Sequence, residues 1–257
     1  YTLARLGLEE GVHDGAGVET PAYEFLEDVP GEPPVMTGHA NGLITVNIAE
    51  ADDAERARRR LDLHEPYRTL LGHLRHEVGH FYWDKFFRND PEALDRFRQV
   101  FGDETADYSQ ALQRHYEAGP PPDWQSAYVS SYATMHPWED WAETWAHYLH
   151  LVDLLETAAD YRLAFTFKGP AGPTVFQCQD PYAAFGTGDG DILTALLNQG
   201  MGVSLMLNSL NRSLGHDDAY PFALSTPVLA KLRFVHDVVR SKGTRPREPG
   251  TPGTGQA

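Results

Sequence analysis

From Leu43 onward apolar and polar side chains take turns: Ile44, Val46 and Ile48 alternate with Thr45 and Asn47. A period of two predicts a half-buried strand over Gly42–Ala49, entered from the tight-turn dipeptide Asn41-Gly42. A shorter strand is expected near Tyr23–Leu26, inside an N-terminal stretch otherwise rich in Gly, Pro and acidic residues. After Asp52 and Asp53, either of which can cap a helix, the period changes to that of α-helix. Helices are expected over Ala54–Leu61, Pro66–Phe87, Glu92–Phe101, Thr105–Tyr116, Pro137–Ala158, Ile192–Leu210 and Pro227–Arg240. The segment Phe165–Gly190 is read as a Gly/Pro-rich loop, with its clearest turn at Gly169–Pro173, and Asp191 as a helix cap. Ser241–Ala257 collapses to Gly, Pro, Thr and charges and is expected to be a disordered tail. The pattern as a whole predicts an α+β chain, mainly α, with a small β-sheet.

Composition narrows the partners. The formal net charge of −16 repels phosphate backbones, so nucleic acid is not expected as a partner. No apolar run approaches the about 18–20 residues that span a bilayer, and no membrane partner is expected. A single cysteine, Cys178, excludes an intramolecular disulfide and a Cys-rich zinc ribbon within the chain. It fits a reducing, cytoplasmic location. The chain begins at Tyr1 rather than Met, so a leading segment or signal peptide is compatible with it.

Chemistry concentrates on the helix expected over Pro66–Phe87. His76 and His80 are four residues apart, which stacks two imidazoles one turn apart on one face. Glu77 lies about 100° round from His76, in reach of a water on a metal but not of the metal itself. Zinc acidifies such a water and a carboxylate takes its proton as it attacks a carbonyl. Leu71, Leu74, Val78 and Phe81 form an apolar stripe opposite the histidines, while Trp83 and Phe87 share the histidine side, as in a helix covered on both faces. Gly79, costly in a helix interior, invites a close-approaching neighbour. The bland alternative is a half-buried helix whose histidines only hydrogen-bond.

Catalytic zinc takes a third protein ligand. On the helix from Pro137, Glu139, Glu143, His147 and His150 share a face beside the buried Trp138, Trp141, Trp145 and Leu149. Acidic residues in a first turn also simply complement the helix dipole, so spacing alone reads Glu139 as structural and leaves Glu143 open as a ligand. His73 reads as solvated or as a neighbour of the site rather than a ligand, and His136 as a helix-entry residue.

The runs His76-Glu-Val-Gly-His-Phe-Tyr-Trp-Asp84, Trp138-Glu-Asp-Trp-Ala-Glu-Thr-Trp-Ala-His147 and Thr37–Asp53 resemble a bacterial family of zinc-binding metallopeptidases, itself similar to gluzincins, the zincin-type His-Glu-x-x-His peptidases. The resemblance covers about residues 20–160. It implies a zincin-like catalytic region over 1–160, with 161–240 as a helical C-terminal part of the same domain. It implies one catalytic Zn2+ held by His76, His80 and Glu139, Glu77 as general base, and Glu143 orienting a ligand histidine. Tyr132 resembles a tyrosine placed near the oxyanion, though a core tyrosine is an equal reading. By the same resemblance Gly42–Ala49 is the strand whose edge meets the substrate backbone. Members often carry a Cys-rich ribbon ahead of this region, and its absence implies a trimmed or variant chain. The expected function is zinc-dependent peptide or amide hydrolysis on a peptide or protein substrate. Two alternatives stand beside it: a zincin-like metal-binding module without turnover, and a purely structural helical domain.

Overall fold

A computed structural model describes residues 1–8, 12–13, 18–52, 69–169, 172–184 and 192–243. After a helical turn, α1 (Thr2–Arg5), come two-residue strands β1 (Val12–His13) and β2 (Val18–Glu19). The main sheet follows: β3 (Ala22–Leu26), β4 (Gly38–Ala40) and β5 (Leu43–Asn47). Its order is β3-β5-β4, with β3 parallel and β4 antiparallel to β5. The β4–β5 hairpin turns on Asn41 (φ 49°) and Gly42 (φ 86°), two left-handed positions that an Asn-Gly pair fills at low cost.

The expected alternation holds for Ile44 and Val46, which are buried, and stops there. Ile48 is 45% exposed because the strand ends at Asn47 and a 3-10 turn, Ile48–Ala51, begins. Asn47 causes that break. Its fully buried side chain accepts from the Ala49 N–H and donates to Asp28 and the Val35 carbonyl. The turn swings Glu50 inward, leaving it 1% exposed. The sheet also corrects the expected substrate strand. β5 is central, paired on both sides, and the edge beside the cavity is β4, whose Gly38 and His39 line it.

Helix α2 (Leu70–Phe86) starts later than the expected Pro66. Thr69 is extended (φ −108°, ψ 151°) and its hydroxyl accepts from the Gly72 N–H, an N-cap that fixes the start. α3 (Pro91–Phe101) and α4 (Tyr108–Ala118) follow, capped by Asp90 and Asp107. α5 (Pro137–Asp160) crosses the core. The stretch read as a loop instead forms a hairpin, β6 (Ala164–Gly169) and β7 (Gly172–Gln177), and a turn of helix α6 (Pro181–Ala184). Phe165 and Phe176 stack across that hairpin, 5.0 Å apart, which offsets the Gly and Pro at its tip. α7 (Ile192–Ser213) and α8 (Thr226–Lys242) complete the fold, so Ser241 and Lys242 are helical rather than tail. The expected helix over Ala54–Leu61, the Asp191 cap and the remainder of the tail lie outside the described residues.

α2 and α5 pack at the centre, and Gly79 is the reason they come so close. A Cβ there would meet the Ala142 Cα at 3.0 Å and the Trp145 ring at 3.1 Å. Trp141 Nε1 donates to the Gly79 carbonyl at 2.8 Å, and Tyr82 stacks on Trp145. Around this contact one apolar cluster draws residues from Leu6 to Val239, with Trp141 and Trp145 fully buried. Of the expected stripe, Val78 and Phe81 are buried, whereas Leu71 is 53% exposed. Lys231 of α8 ties in at Asp140 Oδ2 (2.6 Å), the Ala127 carbonyl (2.8 Å) and the Tyr128 ring.

Candidate metal centre

Because α2 and α5 meet at Gly79 and Ala142, the residues one position or one turn away are brought face to face. His76 and His80 come from α2 and Glu139 from the first turn of α5, where Pro137 is pre-set for helix and His136 caps through Nδ1 to the Trp138 N–H. One atom from each of the three lies within 4.8 Å of the others, and all three residues are buried. The His76 and His80 Nε2 atoms are 3.0 Å apart, and Glu139 Oε2 is 2.9 Å from the first and 3.3 Å from the second. Those distances suit ion pairs, yet Glu139 Oε2 makes no aligned hydrogen bond. Three potential ligand atoms thus converge on one point, with Glu139 Oε2 lacking an aligned donor. Zinc bonds of about 2.0–2.2 Å at tetrahedral angles set ligand atoms roughly 3.3 Å apart, so the triad fits a zinc-sized ion with N/O ligands.

The outer contacts orient the triad. Glu143 Oε1 lies 2.6 Å from His76 Nδ1, and Ser130 Oγ donates to Glu143 Oε2 at 2.5 Å. That leaves His76 Nε2 for the shared centre. His80 is held differently: Trp138 stacks on its ring at 3.6 Å. Tyr108 donates its hydroxyl to Glu139 Oε1 at 2.8 Å. Tyr132 itself sits with its ring 5.9 Å from that of His76.

Charge follows from this packing. Burial pushes the Glu139 carboxyl up, but the two facing imidazoles outweigh it and hold it well below the usual carboxylate range. Glu143, likewise raised by burial and lowered more by His76, falls to about 2. Burial opposes a charge on His76, whereas Glu139 and Glu143 raise its pKa well above the usual value. Glu77 is held low by His73, with His76 and His80 adding to it against the cost of burial. Both Tyr108 and Tyr132 are raised, first by burial and then by Glu139, so each keeps its proton to donate.

A cavity of about 410 Å³ opens over the triad, lined also by Glu77, Glu143, His73, Tyr132 and strand β4. The structure therefore brings together every site residue that the sequence suggested: His76, Glu77, His80, Tyr132, Glu139 and Glu143. Sequence reasoning missed Tyr108, Ser130, Glu50 and the β4 edge. Tyr108 opens an ordinary amphipathic helix, and nothing in its spacing marks it. His73, which the spacing left as a neighbour or solvated, is 14% exposed and lies between Glu50 and Glu77. His136 is the helix-entry residue expected, its Nε2 within 3.0 Å of the Ala106 carbonyl.

The family model described as "Putative zinc-binding metallo-peptidase" matches residues 1–238. The chain belongs to this family. Among similar curated proteins of known sequence are uncharacterized proteins of Mycobacterium tuberculosis and Mycobacterium bovis, each 50% identical over 209 residues, covering 80% of this chain and 56% of the relative. The chain thus spans little more than half the length of those relatives. No solved structure matches it significantly. The family is described as zinc-binding, and His76, His80 and Glu139 form a group that could hold a metal ion. No helix among the described residues is long and apolar enough to cross a membrane.

Proposed function

We propose that the protein is a zinc-dependent peptidase of the gluzincin type, with His76, His80 and Glu139 as ligands and Glu77 as general base. The observation that carries the reading is the buried His-His-Glu convergence with the Glu77 carboxylate facing the same cavity. A zinc ion held there supplies Lewis acidity, polarising a carbonyl and acidifying a water. The chain's own residues do the rest. Glu77, ionised in its surroundings, takes the proton of the attacking water and returns it to the leaving amine. Tyr132 donates a hydrogen bond toward the oxygen on which charge develops. Glu143 keeps the His76 ring turned, and Trp138 does so for His80. An extended substrate backbone pairs with the edge of β4 beside the cavity, which no described strand covers. A cytoplasmic location is the matching proposal for a chain with one, buried cysteine.

A Glu77→Gln variant tests this on a peptide library. It is expected to keep its zinc and lose hydrolysis. Retained turnover removes Glu77 from the mechanism, and a wild-type protein that binds zinc but cleaves nothing favours the metal-binding module instead.

A further inference from the structure

Glu50 and His73 take no part in the triad, yet they form a line that ends on Glu77. Thr37 Oγ1 accepts from the Asn47 N–H (3.0 Å) and donates to Glu50 Oε1 (2.9 Å). Glu50 Oε2 lies 2.7 Å from His73 Nδ1, and His73 Nε2 lies 3.3 Å from Glu77 Oε1. An imidazole is thus set between two buried carboxylates, with one ring nitrogen facing each.

We propose that His73, braced by Glu50, is a positioning residue that holds the Glu77 carboxylate in its working orientation. The inference rests on reading Glu77 as the base. A glutamate at a cavity wall has three side-chain torsions to lose, and a catalytic carboxylate misplaced by about 1 Å costs on the order of 10²-fold in rate. His73 occurs one turn before Glu77 on the same helix, so its ring reaches Oε1 without leaving the helix surface. The helix alone does not fix that ring. Glu50 does, from the 3-10 turn that Asn47 starts, and Thr37 secures Glu50 from the residue before β4. The brace thereby links the base to the strand edge along which a substrate backbone would lie, so that both keep one register. A histidine that merely fills space needs neither a carboxylate at each nitrogen nor a buried glutamate brought in from the sheet.

The test uses Glu50→Gln, His73→Phe and the double variant, each loaded with zinc. Removing His73 alone takes one hydrogen-bond partner from two buried carboxylates and can prevent folding; the double variant removes the Glu50 charge and keeps the test open. The expected result is one zinc per chain throughout, kcat lower by about 10–100-fold and KM within about twofold of wild type. A folded, zinc-loaded double variant with wild-type kcat overturns the proposal. A second arm reads the brace without hydrolysis, by nitrogen-edited proton NMR of the metal-free wild-type protein. The His73 ring signals are expected to report both carboxylates, the Nδ1 side shifting in Glu50→Gln and the Nε2 side in Glu77→Gln. Signals indifferent to both variants overturn the brace. A wild type that cleaves no peptide yet shows both couplings counts against the peptidase reading and supports the brace.

Discussion

Substituting Gly79 by alanine sets two physical effects against each other, and the structure decides between them. Helix propensity favours alanine over glycine by roughly 1 kcal/mol in a helix interior. On that ground alone Gly79→Ala stabilises. The new methyl group, however, would sit 3.0 Å from the Ala142 Cα and 3.1–3.2 Å from two atoms of the Trp145 ring. Neither neighbour can yield easily: one is backbone and the other is a fully buried indole. Overpacking of this kind costs about 1–3 kcal/mol. Backing α5 away also lengthens the Trp141–Gly79 hydrogen bond, at a further cost of about 0.5–1.5 kcal/mol. The steric side wins by about 2 kcal/mol, or roughly 4–8 °C in Tm for a chain of this size. The same retreat carries Glu139, three residues before Ala142, away from His76 and His80. Zinc affinity should therefore fall on the order of tenfold, as when a ligand's support is removed. The assays are thermal denaturation of the metal-free protein and zinc titration against a competing chelator. A Tm equal to or above wild type with unchanged affinity would refute the close-approach argument.

Two other outcomes are expected. Lys231→Met leaves Asp140 buried without its cation and should cost about 3–5 kcal/mol in chemical denaturation, most of it recovered in the Lys231→Met/Asp140→Leu double variant. Burial already raises Asp140 to about 7 against the pull of Lys231, so the single variant's loss should be larger above that pH than below it; equal losses on both sides would contradict the pairing. Burial, then Arg240 and Arg233, lowers His236 to about 4 from 6.5. Between those values the unfolded chain binds a proton that the folded one refuses, so stability is full above about 6.5 and declines as pH falls toward 4. His236→Gln should shrink the difference in unfolding free energy between about pH 7.5 and pH 5, by up to about 2 kcal/mol; an unchanged difference would place the acid sensitivity elsewhere.

Local signals carried much of this account. The Asn-Gly turn, the Ile44/Val46 alternation and the Pro137 start of α5 each act within a few residues, and each is where the sequence placed it. The four-residue spacing of His76 and His80 is local too. Glu139 is not: it reaches the histidines through the Gly79–Ala142 crossing, whose existence a lone helical glycine only hints at. Strand order was also out of reach, because alternation tells which face is buried and not which edge is paired. For that reason β5 was expected at the substrate, whereas β4 is the strand that lines the cavity. Glu50 was hidden for a similar cause, since its inward turn depends on Asn47 meeting Asp28 and Val35 across the chain. The β6–β7 hairpin was lost to its Gly and Pro residues, whose turn signal masked the Phe165–Phe176 pair.

The central claim is that one zinc sits on His76, His80 and Glu139, with Glu143 supporting from behind. The most direct measurement is metal content by mass spectrometry on purified wild type, Glu139→Ala and Glu143→Ala. About one zinc per wild-type chain is expected, with near-complete loss in Glu139→Ala and weakened but retained binding in Glu143→Ala. A wild-type protein that holds no zinc and gains none on dialysis against it would contradict the account and leave the histidine helix as architecture alone.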